Sequence, residues 1–266
     1  MFNRLRNLFS PDSRGSLPAV PAGERIYAVG DVHGRLDLFE AISAAIEADD
    51  AARGAATTSV ILLGDLIDRG PESAGVIAAA RAWQQRRKVR ILLGNHEELL
   101  LKSFESDSVL RNFLRWGGRE TVLSYVADPS EYHRAELADT RLLMERSIPA
   151  ADLNFIRSFE DSIVAGDYLF VHAGVDPEKP LDAQQVSDLR WIREPFLSYG
   201  GDLGAVVVHG HTITDRPQVR QNRIGIDTGA YNSGSLTAIG LEGSTRWFIE
   251  VTESDGIITA ATRSMA

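Results

Sequence analysis

Five short segments place histidine, aspartate or asparagine in loops that follow apolar, β-branched runs. They read GDVHG (Gly30 to Gly34), GDLIDRG (Gly64 to Gly70), GNHE (Gly94 to Glu97), VHAG (Val171 to Gly174) and HGHT (His209 to Thr212). Together they offer carboxylate, amide and imidazole donors. Such a set can hold two divalent cations side by side, and two cations flanking an oxygen suit the hydrolysis of phosphate esters.

Each segment carries its own chemistry. Asp31 and His33 can chelate one ion from a loop leaving a strand, and the glycines around them allow a tight backbone. Alone, aspartate and histidine two apart is a weak signal. Asp65 heads its loop and can bridge two ions through its two oxygens. Asp68 and Arg69 are then left for other work. An arginine beside a metal centre can clamp phosphate oxygens in a bidentate fork, although adjacent Asp and Arg are also a common surface ion pair. Asn95 offers a neutral amide oxygen. His96 follows it directly, so the two do not share one ion, and His96 is available as a proton donor near neutral pH. Asp68 is the candidate to orient it. Four of the six histidines, His33, His96, His172 and His211, fall in these loops. That clustering argues for ligation by His172 and His211 over a structural role. His209 is the alternative to His211, two residues before it. His133 reads as a surface residue.

The elements that must position these loops follow from periodicity. Arg25–Val29, Ser59–Leu63 and Val89–Leu93 are short apolar runs, each followed by glycine. Between them, Leu36–Ala48 and Glu72–Arg86 have helical character, the latter opened by Pro71. This strand–loop–helix repeat predicts a parallel α/β sheet. From Glu97 to Arg157 the pattern is helical, broken at Gly117–Gly118, near Pro129 and at Pro149; it reads as an insertion beside the mouth of the site. Strand signals return at Ser162–Val164, Tyr168–His172, Ala205–His209, Arg223–Asp227, Ser235–Leu241, Arg246–Val251 and Gly256–Ala260. Their close spacing suggests antiparallel pairing. The expected architecture is α/β, with one sheet in each half of the chain and the two packed face to face with helices outside.

Composition bounds the function. The chain has 266 residues, 44% hydrophobic and 24% charged, and no internal linker or repeat. A single catalytic domain over 24–266 is expected, preceded by a flexible tail over 1–23. Within that tail Phe2, Leu5, Leu8 and Phe9 have helical spacing, but serine, proline and glycine follow at once. The net charge of −9 speaks against stable nucleic-acid binding. Arg86, Arg87, Lys88 and Arg90 form the dense basic run, and they read as cations suited to a helix C-terminus. There is no cysteine, which fits a cytoplasmic protein and excludes a thiolate nucleophile. No apolar run reaches a membrane-spanning length. Neither a phosphate-binding GxxxxGK[ST] loop nor a GxSxG elbow is present.

GDVHG, GDLIDRG and GNHE in that order, followed by HAG and GHT, resemble the metallo-dependent phosphoprotein phosphatases of the calcineurin-like metallophosphoesterase superfamily. The chain looks most like the compact bacterial and phage lambda-type serine/threonine branch. Trp191 to Glu194 matches its W-x-R-E signature, and Ile226 to Ala230 its I-D-T-G-A. The resemblance spans about Arg25 to about Gly243. It implies two mixed sheets packed as a sandwich flanked by helices. It implies that Asp31 and His33 bind a first ion, that Asp65 bridges, and that Asn95, His172 and His211 complete a second. It further implies His96 as general acid paired with Asp68, and Arg69 and Arg193 on the phosphate oxygens. The ions would be manganese, with iron or zinc elsewhere in the family. A hydroxide held between them would attack phosphorus directly, and the substrate would be a phosphoprotein or phosphopeptide. The alternative implied by the same motifs is a symmetrical bis(5'-nucleosyl)-tetraphosphatase, or an RNA or nucleotide phosphatase. The retained Asp68 and Glu97 favour the protein-phosphatase branch. Two positions stay open: His209, where relatives often carry an apolar residue, and Tyr231, which either borders the site or packs in the core.

Overall fold

The structure is a computed structural model and describes residues 17–265. The helical spacing noted from Phe2 to Phe9 lies outside the described residues. The stretch expected to be a tail already engages the domain at its end. Val20 is buried, its N–H donates to the Gly243 carbonyl at 3.0 Å, and the Ala19 N–H donates to Asp167 Oδ2 at 2.9 Å.

Two sheets form the centre. The first has six strands in the order β11-β10-β9-β1-β2-β3. It joins β1 (Glu24–Val29), β2 (Thr57–Leu62) and β3 (Val89–Ile91), all parallel, to β9 (Ser235–Glu242), β10 (Thr245–Ser254) and β11 (Ile257–Ser264), all antiparallel. The second has five strands, ordered β4-β5-β6-β8-β7: β4 (Ser162–Ala165), β5 (Tyr168–Val171), β6 (Val206–His209), β7 (Gln218–Val219) and β8 (Arg223–Gly225).

Period-two alternation explains the stacking. Tyr27, Val29, Val60 and Leu62 face the helices, while Ile26, Ala28, Ile61 and Leu63 face the second sheet. In the second sheet Tyr168, Phe170, Val206 and Val208 face inward. Leu169, Val171 and Val207 face an outer cluster with Leu189 and Phe196. Both faces of these strands are covered, so they read as unbroken apolar runs.

Helix α1 (Leu36–Ala52) and helix α2 (Ser73–Arg86) cover the first sheet through Leu38, Phe39, Ile42, Ile46, Val76, Ile77, Ala80 and Trp83. The expected insertion is helical. It comprises α3 (Asn95–Ser103), α4 (Asp107–Phe113), a π turn at Leu114–Gly118, α5 (Arg119–Tyr125), α6 (Pro129–Arg134), α7 (Leu137–Ser147) and α8 (Ala150–Arg157). A short α9 (Val186–Trp191) carries the segment after β5. No helix among the described residues is long and apolar enough to cross a membrane.

Two expectations about the sheets are corrected. The sheets do not divide the chain into halves, because β9 pairs with β1 and returns the C-terminal strands to the first sheet. Nor is the second sheet antiparallel throughout: β5, β6 and β8 run parallel. The connections between them, through α9 and a long loop, are of crossover length, which spacing of strand signals alone does not distinguish from hairpins. Two of the four residues of the basic run are absorbed by pairing. Arg87 binds Glu47 and Asp50, and Arg90 binds Glu160.

One buried charge ties this half together. Arg25, fully buried on β1, donates from Nε to Glu242 at 2.9 Å and from Nη1 to Asp50 Oδ1 at 2.6 Å. Its remaining donors reach the carbonyls of Asp50, Arg53 and Gly54 at 3.2 Å, satisfying the C-terminus of α1, which has no basic residue in its own last turn. Arg25→Met should therefore lower stability by about 2–3 kcal/mol, because it takes the donor from these carbonyls and leaves Asp50 with only Thr58 and Arg87. Arg25→Lys should rescue little, since an ammonium cannot fan out to the same acceptors. Equilibrium denaturation checks both; an unchanged midpoint for Arg25→Met contradicts the assignment.

Candidate metal centre and acid–base pair

The five motif loops and the I-D-T-G-A segment leave the C-terminal ends of β1, β2, β3, β5, β6 and β8, all members of parallel arrays. Sheets of this kind open their ligand crevice at that edge. Two sheets packed face to face bring both sets of loops to one place.

Asp65 is the centre. Its Oδ2 lies 3.4 Å from His172 Nε2, 3.6 Å from His33 Nε2 and 3.9 Å from His96 Nε2. Two groups could each hold an ion, His33–Asp65–His96 and Asp65–His172–His211, and Asp65 belongs to both. The second group also takes in Asn95, whose Oδ1 is 3.0 Å from His172 Nε2. In the first group the third donor is His96. Asp31 accepts the His211 N–H, at 3.2 Å on Oδ1 and 3.0 Å on Oδ2. Arg69 reaches both imidazoles on the first side, with Nη1 2.9 Å from His33 Nε2 and Nη2 3.0 Å from His96 Nε2. Arg193 is exposed at the edge, 3.4 Å from the His211 carbonyl. Tyr231 borders the site: its ring is 5.4 Å from His33, and the Arg69 guanidinium lies 4.7 Å over it.

The donor set fits cations. His33 Nδ1 and His172 Nδ1 donate to the carbonyls of Ile67 and Leu63, both at 2.8 Å. That turns each Nε2 inward, as ligation requires. His211 Nε2 is buried without a partner. Burial raises the Asp65 carboxyl, but His172, His96 and His33 outweigh it and hold it well below the usual carboxylate range. Asp31, by contrast, is pushed well above that range by burial and by Asp227, and Asp227 itself rises to about 6 through burial. Carboxylates gathered in a dry pocket call for positive charge.

His96 and Asp68 form a separate unit. His96 Nδ1 is 2.6 Å from Asp68 Oδ2. The other carboxylate oxygen accepts from the Thr121 hydroxyl at 2.5 Å, and the Asp68 N–H donates back to that hydroxyl at 2.9 Å and to Ser73 Oγ at 3.0 Å. Burial lowers the His96 pKa, and Asp65 and Asp68 overcome it, so the imidazole binds its proton more tightly than an ordinary histidine.

The backbone here is strained. His33, Asp65, Asp68, Arg69 and His211 all have positive φ, between 46° and 72°. Left-handed backbone at residues with side chains costs of order 1 kcal/mol or more each and persists only where surroundings over-determine it. They do so here. Glu97, fully buried, accepts the N–H groups of Leu66 at 2.7 Å, Asp65 at 2.9 Å and Gly94 at 3.0 Å. The loops also bond to each other, His33 N–H to the Asp65 carbonyl at 2.8 Å and Gly70 N–H to the His33 carbonyl at 3.0 Å. Gly94 is required because a Cβ there would run into the Asp65 carboxylate.

The structure thus brings together Asp31, His33, Asp65, Asp68, Arg69, Asn95, His96, His172 and His211, with Arg193 at the edge. His209 is turned away from the centre. Its Nδ1 is 3.0 Å from the Gly210 carbonyl, its Nε2 is 3.4 Å from Arg223 Nη1, and its ring packs 5.0 Å from Phe196. Sequence reasoning did not assign Thr121, Ser73 or Asp227 to the site, nor the clamp made by Glu97. Asp227 and Glu97 stood inside quoted motifs. Thr121 and Ser73 carried no local signal, because their role is to meet Asp68 across the fold.

The family model for calcineurin-like phosphoesterases matches residues 24–230. The chain is 28% identical over 221 residues to serine/threonine-protein phosphatase 2 of Escherichia coli, covering 80% of this chain and 90% of that protein. It is 26% identical over 229 residues to the asymmetrical bis(5'-nucleosyl)-tetraphosphatase of Anoxybacillus flavithermus, covering 79% and 88%. It is 29% identical over 182 residues to a symmetrical bis(5'-nucleosyl)-tetraphosphatase of an Acidovorax strain, spanning 68% of this chain but only 51% of that protein. Among solved structures, a cold-active protein tyrosine phosphatase superposes with a TM-score of 0.55 at 17% identity, covering 94% of this chain and 86% of the other, a likeness of fold. The match over most of the chain, with the two sheets and their shared ligand edge, places it: this protein belongs to the calcineurin-like phosphoesterase family.

Proposed function

We propose that this protein is a metal-dependent hydrolase of phosphate esters that protonates its leaving group through His96, with serine/threonine phosphoproteins as the substrate class. What carries the reading is one arrangement, the buried His96–Asp68 pair set beside the shared Asp65 carboxylate. Asp31, His33 and Asp65 would hold one divalent ion, and Asp65, Asn95, His172 and His211 a second. Oxygen and imidazole donors without thiolate suit manganese. When bound, the ions supply Lewis acidity to the phosphoryl oxygens and lower the pKa of water.

The chain's own groups do the rest. Arg69 and Arg193 take phosphoryl oxygens and offset the charge that builds there, the main demand of phosphoryl transfer. His33 Nε2 cannot offer one lone pair to both a guanidinium and a cation, and a His96 protonated at Nε2 has none to offer, so Arg69 would turn toward the substrate with metal bound. His96 gives its proton to the leaving oxygen. Asp68, itself locked by Thr121, fixes the Nδ1–H and stabilises the imidazolium. A second reading, hydrolysis of dinucleoside tetraphosphates, is favoured by the names of several relatives.

Asp65→Asn should bind fewer than two manganese ions per chain by calorimetry and lose most activity; full stoichiometry contradicts a bridging carboxylate. His96→Asn should keep its metal and slow a phosphoserine peptide by about 10²–10⁴-fold, with a much smaller effect on 4-nitrophenyl phosphate, whose leaving group needs little protonation. Equal losses on both esters would remove His96 as the acid. Adding Asp68→Asn to His96→Asn should cost little more, because the two act as one unit. Finally, kcat/KM for a phosphoserine peptide should exceed that for diadenosine tetraphosphate with manganese present. The reverse order moves the protein to the second reading.

A further inference from the structure

Helix α3 carries two groups with different partners. His96, in its first turn, meets Asp65 and Asp68. Glu98, two residues on and buried, reaches α9 instead. Its Oε2 accepts the Trp191 Nε1–H at 2.5 Å, and its Oε1 accepts from Arg190 Nη1 at 3.0 Å. A third donor, Lys102 Nζ at 2.8 Å, is exposed and lies on the same helix, so that bond ties no two elements together. The other two join α3, which follows the first sheet's β3, to the last two residues of α9, which follows the second sheet's β5.

Arg193 lies two residues beyond that junction. Helix α9 ends at Trp191, and Ile192 is already extended. The Arg193 side chain is exposed and makes one hydrogen bond among the described residues, from Nη2 to the His211 carbonyl at 3.4 Å. A guanidinium held so loosely depends on the backbone that carries it. Behind it the Leu189 carbonyl accepts the Ala173 N–H at 2.8 Å, and Arg190 binds Asp161 at 2.5 and 3.1 Å. Trp191 Nε1–H has Glu98 alone as its acceptor. The Trp191 ring in turn lies 6.5 Å from the His211 ring, so the residue that Glu98 holds already borders the centre. A buried carboxylate is costly unless donors meet it, and these donors come from the segment that leads into Arg193.

We propose that Glu98 is a positioning residue: through Trp191 and Arg190 it sets the Arg193 guanidinium at a fixed spacing from the His96 imidazole. The proposal rests on the phosphate-ester reading, in which Arg193 takes phosphoryl oxygens and His96 protonates the leaving oxygen. Those two groups are delivered by different sheets, and a phosphate ester must meet both at once. Glu98 and His96 share one turn of α3, so a carboxylate bonded to α9 carries the position of one group to the other. Small displacements of a clamp weaken the ligand it was built around. Glu98 itself does not touch the substrate.

The test follows inorganic phosphate as a competitive inhibitor of 4-nitrophenyl phosphate hydrolysis by the manganese-loaded protein. Glu98→Ala should raise the phosphate Ki and the 4-nitrophenyl phosphate KM together by about tenfold, with kcat changed by less than about threefold. Glu98→Gln, which keeps an acceptor oxygen for Trp191, should recover most of that affinity. In an Arg193→Ala background, adding Glu98→Ala should weaken phosphate by less than about twofold more. Glu98→Ala should also bind as many manganese ions as the wild type by calorimetry. A wild-type Ki in Glu98→Ala overturns the proposal. So does a tenfold effect in both backgrounds, or a lost manganese ion, since either puts the action of Glu98 somewhere other than Arg193. Should Glu98→Ala not fold, Trp191→Phe removes the N–H donor and keeps an aromatic ring. Its Ki should rise by about threefold or more, and an unchanged Ki overturns the proposal. A wild-type Ki in Arg193→Ala takes away the phosphate role of Arg193, and the proposal falls with that reading and not by itself. Absence of 4-nitrophenyl phosphate hydrolysis in the wild type removes the phosphate-ester reading in the same way.

Discussion

The site depends on the carboxylate of Glu97. It is fully buried, pushed up to about 7 by burial and by Asp65, and it spends both oxygens on backbone N–H groups of the loop that carries Asp65. A buried carboxylate is tolerated when several N–H donors satisfy it. Here those same bonds hold Asp65 in a left-handed conformation it would otherwise avoid. With Asp65 so placed, one oxygen accepts the His96 N–H at 3.1 Å and the other faces three imidazoles. Clamp, strain and donor cluster are parts of one arrangement.

The two-sheet plan supplies the rest. Strands β1, β2 and β3 deliver the carboxylates, Asn95 and His96, while β5 and β6 deliver His172 and His211 from the other sheet. The first sheet alone supplies one donor group around Asp65, with His33 and His96, whereas the second group is complete only with His172 and His211 from the other sheet. The helical insertion contributes indirectly, through Thr121 on Asp68 and Gly117 on Arg69. Helix α3 links the levels, since it starts with Asn95 and His96, carries Glu97 under the loop and places Glu98 beneath Trp191. The His96–Asp68 pair, the Glu97 clamp and the Trp191 anchor are thus hung from a few turns of backbone.

Much of this was legible because it is local. Glycine after an apolar run marks a strand end, and donors within such a loop must lie near that end. Ordered motifs on successive strands therefore imply a shared edge, which the structure has. The helical breaks at Gly117–Gly118, Pro129 and Pro149 were legible for the same reason, as backbone preferences of single residues. Arg25 was not: a charged residue opening a strand gives no hint that it is buried against three carbonyls and two carboxylates.

The sequence by itself determined which residues could act, which strands and helices would present them, and that their chemistry suits cations and phosphate. Donor type and period are properties of neighbouring residues, so both survive in a linear reading. Only the tertiary structure decided which strand pairs with which, that β9 returns to β1, that His209 turns away to Arg223 and Phe196, and that Thr121 and Glu97 hold Asp68 and Asp65 in place. Those outcomes depend on hydrogen bonds between residues far apart in the chain. No local preference encodes them, because each is selected by what burial leaves unsatisfied once the two sheets have closed.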